Sequence, residues 1–184
     1  AAPPLVGLER MSEKWWSIFL RPVFILGMRQ KRVGAVEDSG AGPWGVLIAA
    51  LNGTAAPPVL RRMVVEFNTA SGLPLRTKLL MLAVIGRALG CPFCERQTLD
   101  LAAAEGLSPE AADEALDTMQ SPEITPLEAT LLPFARATVR YEPYRIQERT
   151  ARLLSEIGTE KTLEAVVVTA MGNMLVRLAM LLAP

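Results

Sequence analysis

The chain has 184 residues, 51 % of them apolar and 21 % charged, with 19 Lys plus Arg against 19 Asp plus Glu and no histidine. That length and composition suit one globular domain with a sizeable core and exclude a disordered chain. Zero net charge, with no basic run beyond Lys31-Arg32 and Arg61-Arg62, argues against sequence-independent binding to nucleic acid, which depends on neutralising phosphates.

Taken in order, the segments read as helices punctuated by proline and glycine. Ser12 is positioned to cap a helix from Glu13 to Leu20, Pro22 interrupts, and an apolar stretch continues to Gln30. Trp15-Trp16 with Ile18, Phe19 and Leu20 makes this first helix apolar. Only Lys14 and Arg21 flank it, too few cations for a membrane-surface helix, so packing on its own domain is expected and membrane contact is not. Gly34 to Pro43 reads as a loop. Trp44 to Leu51 is a short apolar helix stopped by Asn52-Gly53. Pro57 to Thr69 follows, with Leu60, Met63, Val64 and Phe67 on one face.

Pro74 opens a helix to Leu89 whose Leu79 to Ile85 are apolar on every side, the pattern of a buried central helix. Gly90 ends it, and a helix to Gly106 starts at once. Ser108 caps Pro109 to Met119, with proline at the favoured first position. Thr125-Pro-Leu-Glu128 is a capping box for a helix to about Tyr141 that contains Pro133. Arg145 to Ile157 ends at Gly158. Glu160 to Ala183 is long and apolar but interrupted by Glu164, Asn173 and Arg177, which fits a core or subunit-interface helix rather than a membrane span. The expectation is an all-α chain of about nine helices, with residues 1–43 as an N-terminal helical extension and loop and 44–184 as the main domain. The chain begins at Ala1, which reads as a trimmed N-terminus. No charged-then-apolar signal segment is seen, and cytoplasm is the default compartment.

Cys91-Pro-Phe-Cys94 carries the chemistry. These are the only two cysteines. They are too few for a disulfide scaffold, and without histidine they cannot complete a zinc site within one chain, so no metal is expected. If Gly90 ends one helix and Pro92 begins the next, Cys91 is the cap and Cys94 lies one turn inside on the same side. Both sulfurs are then within bonding reach, and the helix-start amides favour a thiolate, most strongly at Cys91. Glu95 opposes this, with Arg87 and Arg96 placed to offset it. The alternative is a buried pair kept for packing. Arg136, Arg140, Arg145, Arg149 and Arg152 recur at helical spacing around Glu142 and Glu148 and read as a solvated, ion-paired face.

Leu79-Leu-Met-Leu-Ala-Val-Ile-Gly-Arg-Ala-Leu-Gly-Cys-Pro-Phe-Cys94, followed by Leu101-Ala-Ala-Ala-Glu-Gly-Leu-Ser-Pro-Glu110, resembles the alkylhydroperoxidase D/carboxymuconolactone decarboxylase family. Thr125 to Ala135 and Val166 to Ala179 are similar to later helices of that family, so the resemblance covers roughly residues 45–183. It implies an alkylhydroperoxidase-D-like helical bundle that self-associates, a redox-active disulfide with no further cofactor, and a hydroperoxide and an external dithiol as reaction partners. In the family the second cysteine attacks peroxide and the first resolves, which carried over makes Cys94 the nucleophile and Cys91 the resolving thiol. The helix-start argument points to Cys91 instead. Family peroxidases carry a Glu twelve positions before the first cysteine and a His four after the second. Leu79 and Thr98 stand there, and Phe93 replaces a His found between the cysteines of some members. Glu66 and Glu95 are the candidate substitutes for proton transfer, each also readable as a solvated surface carboxylate. Three functions follow in order of preference. The first is a thiol-disulfide redox protein acting as a weak or specialised peroxidase. The second is a non-catalytic assembly or binding module with a structural CxxC. The third is a lactone decarboxylase-type enzyme, disfavoured because proton transfer at carbon needs placed acid-base groups.

Overall fold

The computed structural model describes residues 44–182. The helices expected within Glu13 to Gln30, the Trp15-Trp16 pair and the loop from Gly34 to Pro43 lie outside the described residues. Within them the chain is helical throughout, in eight helices: α1 (Gly45–Ala50), α2 (Ala56–Thr69), α3 (Leu75–Leu89), α4 (Pro92–Ala104), α5 (Pro109–Thr118), α6 (Pro126–Val139), α7 (Pro143–Ile157) and α8 (Thr159–Leu182). Each helix expected after Trp44 is present. The start of α7 moves forward to Pro143, because proline at the first position needs no amide partner. Ser108 and Thr125 cap as expected. The Thr125 hydroxyl accepts from the Glu128 amide, and the Glu128 carboxylate accepts from the Thr125 amide. Pro133 sits inside α6 without ending it.

The core forms around α3. Every residue from Thr77 to Gly86 is buried, and α4, α5, α6 and α8 all pack on this helix. A helix apolar on every side excludes water only when neighbours surround it, which is why its sequence lacks a polar stripe. Helix α8 has an 18-residue window of mean hydropathy 1.9, enough by length and composition to cross a membrane. One side of it packs against α1, α3, α6 and α7, burying Ala165, Val168, Met171, Leu175, Val176 and Ala179. Gly172 lets it approach closely. A Cβ there would meet the side-chain ends of Leu82 and Ile85.

Two ion pairs, each with one buried partner, tie the helices together. Lys78, 1 % exposed, donates to the Phe67 and Ala70 carbonyls (2.6 and 2.7 Å) and to Glu164 Oε1 (3.1 Å). Glu164 Oε2 in turn accepts from the Leu73 amide at 2.9 Å. One ammonium thereby closes the C-terminal end of α2 and links α3 to α8, and all three of its protons are used. Glu128, also 1 % exposed, takes a two-pronged contact from Arg76 (Nε 3.0 Å, Nη2 2.8 Å). Neither pair stands out in the sequence, because the partners are 86 and 52 positions apart.

Candidate redox site

The junction between α3 and α4 has no loop. Gly90 adopts the left-handed conformation (φ +71°) that ends α3. Its amide bonds to the Arg87 carbonyl (3.1 Å), and the Cys91 amide bonds to the Gly86 carbonyl (2.9 Å). Cys91 therefore closes α3 and caps α4 at the same time, with Pro92 as the first helical residue. The Cys91 sulfur accepts the Cys94 amide at 3.3 Å, taking the place of the usual capping oxygen. The sulfurs of Cys91 and Cys94 are bonded to each other, with Cα atoms 5.4 Å apart. Cys91 is 6 % exposed and Cys94 1 %. This is the arrangement expected from the Gly-Cys-Pro spacing. Gly86 permits it, since a Cβ at that position would lie 3.1 Å from the Glu95 amide nitrogen and 3.5 Å from the Cys94 carbonyl carbon.

Glu95, in the first turn of α4, points its charge at Arg87 (Nε 3.1 Å, Nη2 2.7 Å). The same guanidinium reaches Asp113 and Asp117 on α5. The hydrogen bond to Glu95 raises the Arg87 pKa, burial opposes this, and Asp113 adds to it. Arg87 thus holds α3, α4 and α5 together and neutralises Glu95, the one carboxylate in the first turn of α4. The offset anticipated from Arg87 is present. Arg96 is exposed and forms no ion pair among the described residues. The sequence hint for the Arg87 clamp was the four-residue spacing of Asp113 and Asp117, which puts both on one face of α5.

The other candidate residues lie as follows. Glu66 is on the surface of α2, its side chain 67 % exposed and 3.8 Å from Arg62. Leu79 and Thr98 are both buried. The Thr98 hydroxyl donates to the Cys94 and Glu95 carbonyls of its own helix, each at 2.9 Å. Phe93 is half-buried against the core. Among the described residues, the single hydrogen bond to either sulfur is the Cys94 amide. The geometry brings the two thiols together under a helix-start field but brings neither Glu66 nor Glu95 into hydrogen bonding with them.

Residues 58–137 match the carboxymuconolactone decarboxylase family. The matched span runs from the first turn of α2 into α6 and contains Cys91, Cys94, Leu79, Thr98, Glu66 and Glu95. It covers the central part of the resemblance read from the sequence, while α7 and α8 lie beyond it. Neither the curated proteins nor the solved structures gave a match to this chain. In this chain, the buried Leu79 and the self-bonded Thr98 fill the positions where the sequence comparison placed the relay.

Proposed function

We propose that the chain is a thiol-disulfide redox protein that reduces a hydroperoxide slowly and is reset by an external dithiol. The observation that carries this reading is the bonded Cys91–Cys94 pair at the start of α4, with a backbone amide donated to the Cys91 sulfur. That amide and the helix dipole favour the thiolate once the bond is reduced. The Cys91 thiolate attacks the distal oxygen of the hydroperoxide. The O–O bond breaks, Cys91 becomes a sulfenic acid, and the alcohol leaves with a proton from water. The Cys94 thiol then condenses with the sulfenic acid, the S–S bond forms and water departs. A dithiol returns two electrons and two protons by exchange through a mixed disulfide, attacking at Cys91, the less deeply buried of the two residues. Assigning attack to Cys91 departs from the family's order. Support comes from its greater exposure and its amide contact. Without a placed base, turnover is expected to fall roughly 10²–10⁴-fold below a peroxidase that has one. Self-association belongs to the same proposal, supported by the apolar groove of about 280 Å³ between α2 and α8, lined by Val59, Met63, Val167 and Met171.

The test is to reduce the protein, titrate it with cumene hydroperoxide and count free thiols. Loss of two thiols per chain with release of one alcohol is the expected result. Thiols that survive an excess of peroxide would refute the reading. Burial of Cys94 and the self-bonded Thr98 favour a second reading, a disulfide that only braces the α3–α4 junction. It predicts that a Cys91→Ser/Cys94→Ser variant melts at a lower temperature and that no dithiol opens the bond in the native protein.

A further inference from the structure

The arginines of α6 and α7, read from the sequence as a solvated and ion-paired face, are only partly paired. Arg145 bonds to Glu142 at 2.8 Å and Arg152 bonds to Glu156 at 2.6 Å. Arg136, Arg140 and Arg149 form no ion pair among the described residues. Together with Arg145 they border a groove of about 460 Å³ between the two helices. Arg136 on α6 and Arg140 just past its end stand one turn apart, as do Arg145 and Arg149 on α7, and all four residues line the groove. Among the described residues Glu142 is the one carboxylate that lines it, against four arginines. In a chain whose total charge is zero, this is a local concentration. The remaining lining is apolar: Ala88, Met119, Pro133, Ala137 and Val139.

Two backbone features add to the field. Helix α7 begins beside this groove with no side-chain cap bond and no acidic residue in its first turn, so the positive end of its dipole lies next to the arginines. The opposing negative end of α6 is answered by Arg177, which donates to the Val139 carbonyl at 3.3 Å.

We propose that this groove binds a small organic dianion, an apolar body carrying two negative charges as carboxylate or phosphate. Its volume falls within the range of small-molecule sites. Guanidinium pairs on both walls suit the two-pronged recognition that carboxylate and phosphate oxygens accept, and the apolar lining accommodates the carbon skeleton. An inorganic ion would leave that lining uncovered, and a neutral apolar molecule would strand the charge. Neither cysteine lines the groove, so the proposal stands or falls apart from the redox reading.

The experiment is isothermal titration of the full chain with isophthalate as the carboxylate probe, p-nitrophenyl phosphate as the phosphate probe and benzoate as the monoanion control. At least one dianion is expected to saturate at one per chain with a Kd of about 1 mM or below, and benzoate to bind roughly tenfold more weakly. Amide shifts on titration should cluster in α6 and the first turns of α7. Arg136→Gln/Arg149→Gln removes two exposed guanidiniums and should weaken binding about tenfold or more. Arg61→Gln/Arg62→Gln, which removes two charges from α2, should leave it unchanged. Whichever dianion binds tighter identifies the acid group. The proposal is overturned if neither dianion saturates by about 10 mM, if the shifts fall elsewhere, or if the two double variants bind alike.

Discussion

Replacing Glu128 with Gln removes one buried negative charge while keeping the shape of the side chain. In the folded protein this carboxylate accepts from Arg76 Nε and Nη2, from the Thr77 hydroxyl (3.2 Å), and from both the amide and the hydroxyl of Thr125 (2.7 and 3.0 Å). It sits at the third position of α6, where it also closes the capping box. Breaking a buried pair by removing one partner costs about 3–5 kcal/mol. The Arg76 side chain is 21 % exposed and retains its bond to the Glu123 carbonyl, so water partly compensates. The expected loss is therefore at the lower end, about 3 kcal/mol. For a chain of this size that lowers the melting temperature by roughly 6–12 °C.

The same site sets a pH dependence. Burial pushes the Glu128 carboxyl up, but Arg76 and the two Thr125 groups outweigh it and hold the pKa below its ordinary value. A group whose folded pKa lies below its unfolded one stabilises fully above the unfolded value, roughly 4.3 for Glu. That contribution disappears as pH falls through the folded value. Urea unfolding of wild type and Glu128→Gln, run from pH 7 down to pH 2.5, should show a gap that is constant near neutrality and closes in acid. A gap under about 0.5 kcal/mol at pH 7, or one that does not narrow on acidification, would show that the carboxylate is not the clamp described here.

Two further outcomes concern the junction that carries the cysteines. Gly86→Ala places a Cβ 3.1 Å from the backbone of Glu95, which cannot rotate away. Overpacking should outweigh the gain in helix propensity and cost about 1–2 kcal/mol in urea unfolding of the oxidised protein. Unchanged or increased stability would mean that α4 gives way freely. The exposure difference and amide contact at Cys91 predict a difference in thiol reactivity. The lone Cys91 of Cys94→Ser should react with iodoacetamide at pH 7 about tenfold faster than the lone Cys94 of Cys91→Ser. Equal rates would remove the basis for naming Cys91 as the attacking sulfur.

Local chemistry was legible because it acts over one or two turns. The αL glycine at 90, the proline at 92 and the two-residue spacing of the thiols specify a helix end, a helix start and a bonded pair. Thr125 with Glu128, and Ser108 before Pro109, mark helix starts by the same short-range logic. Glu66 and Glu95 show where that logic stops. They are alike in sequence, yet one lies open on α2 and the other is bound to Arg87 against α5. The arginine row was visible as a helical repeat, but its spacing does not say which members find a carboxylate.

From the linear order of residues alone came an all-helical chain, a buried central helix, the helix boundaries and a CxxC poised to close. Those properties depend on contacts within a few positions, or on an apolar surface too large to leave in water. Folding in three dimensions decided that Glu128 and Glu164 clamp helices together, that among the described residues no side-chain base is in hydrogen-bond contact with the sulfurs, and that arginines of the α6 and α7 segments gather around one groove. Each of these depends on groups tens of positions apart meeting at about 3 Å, the range over which a charge or a hydrogen bond acts.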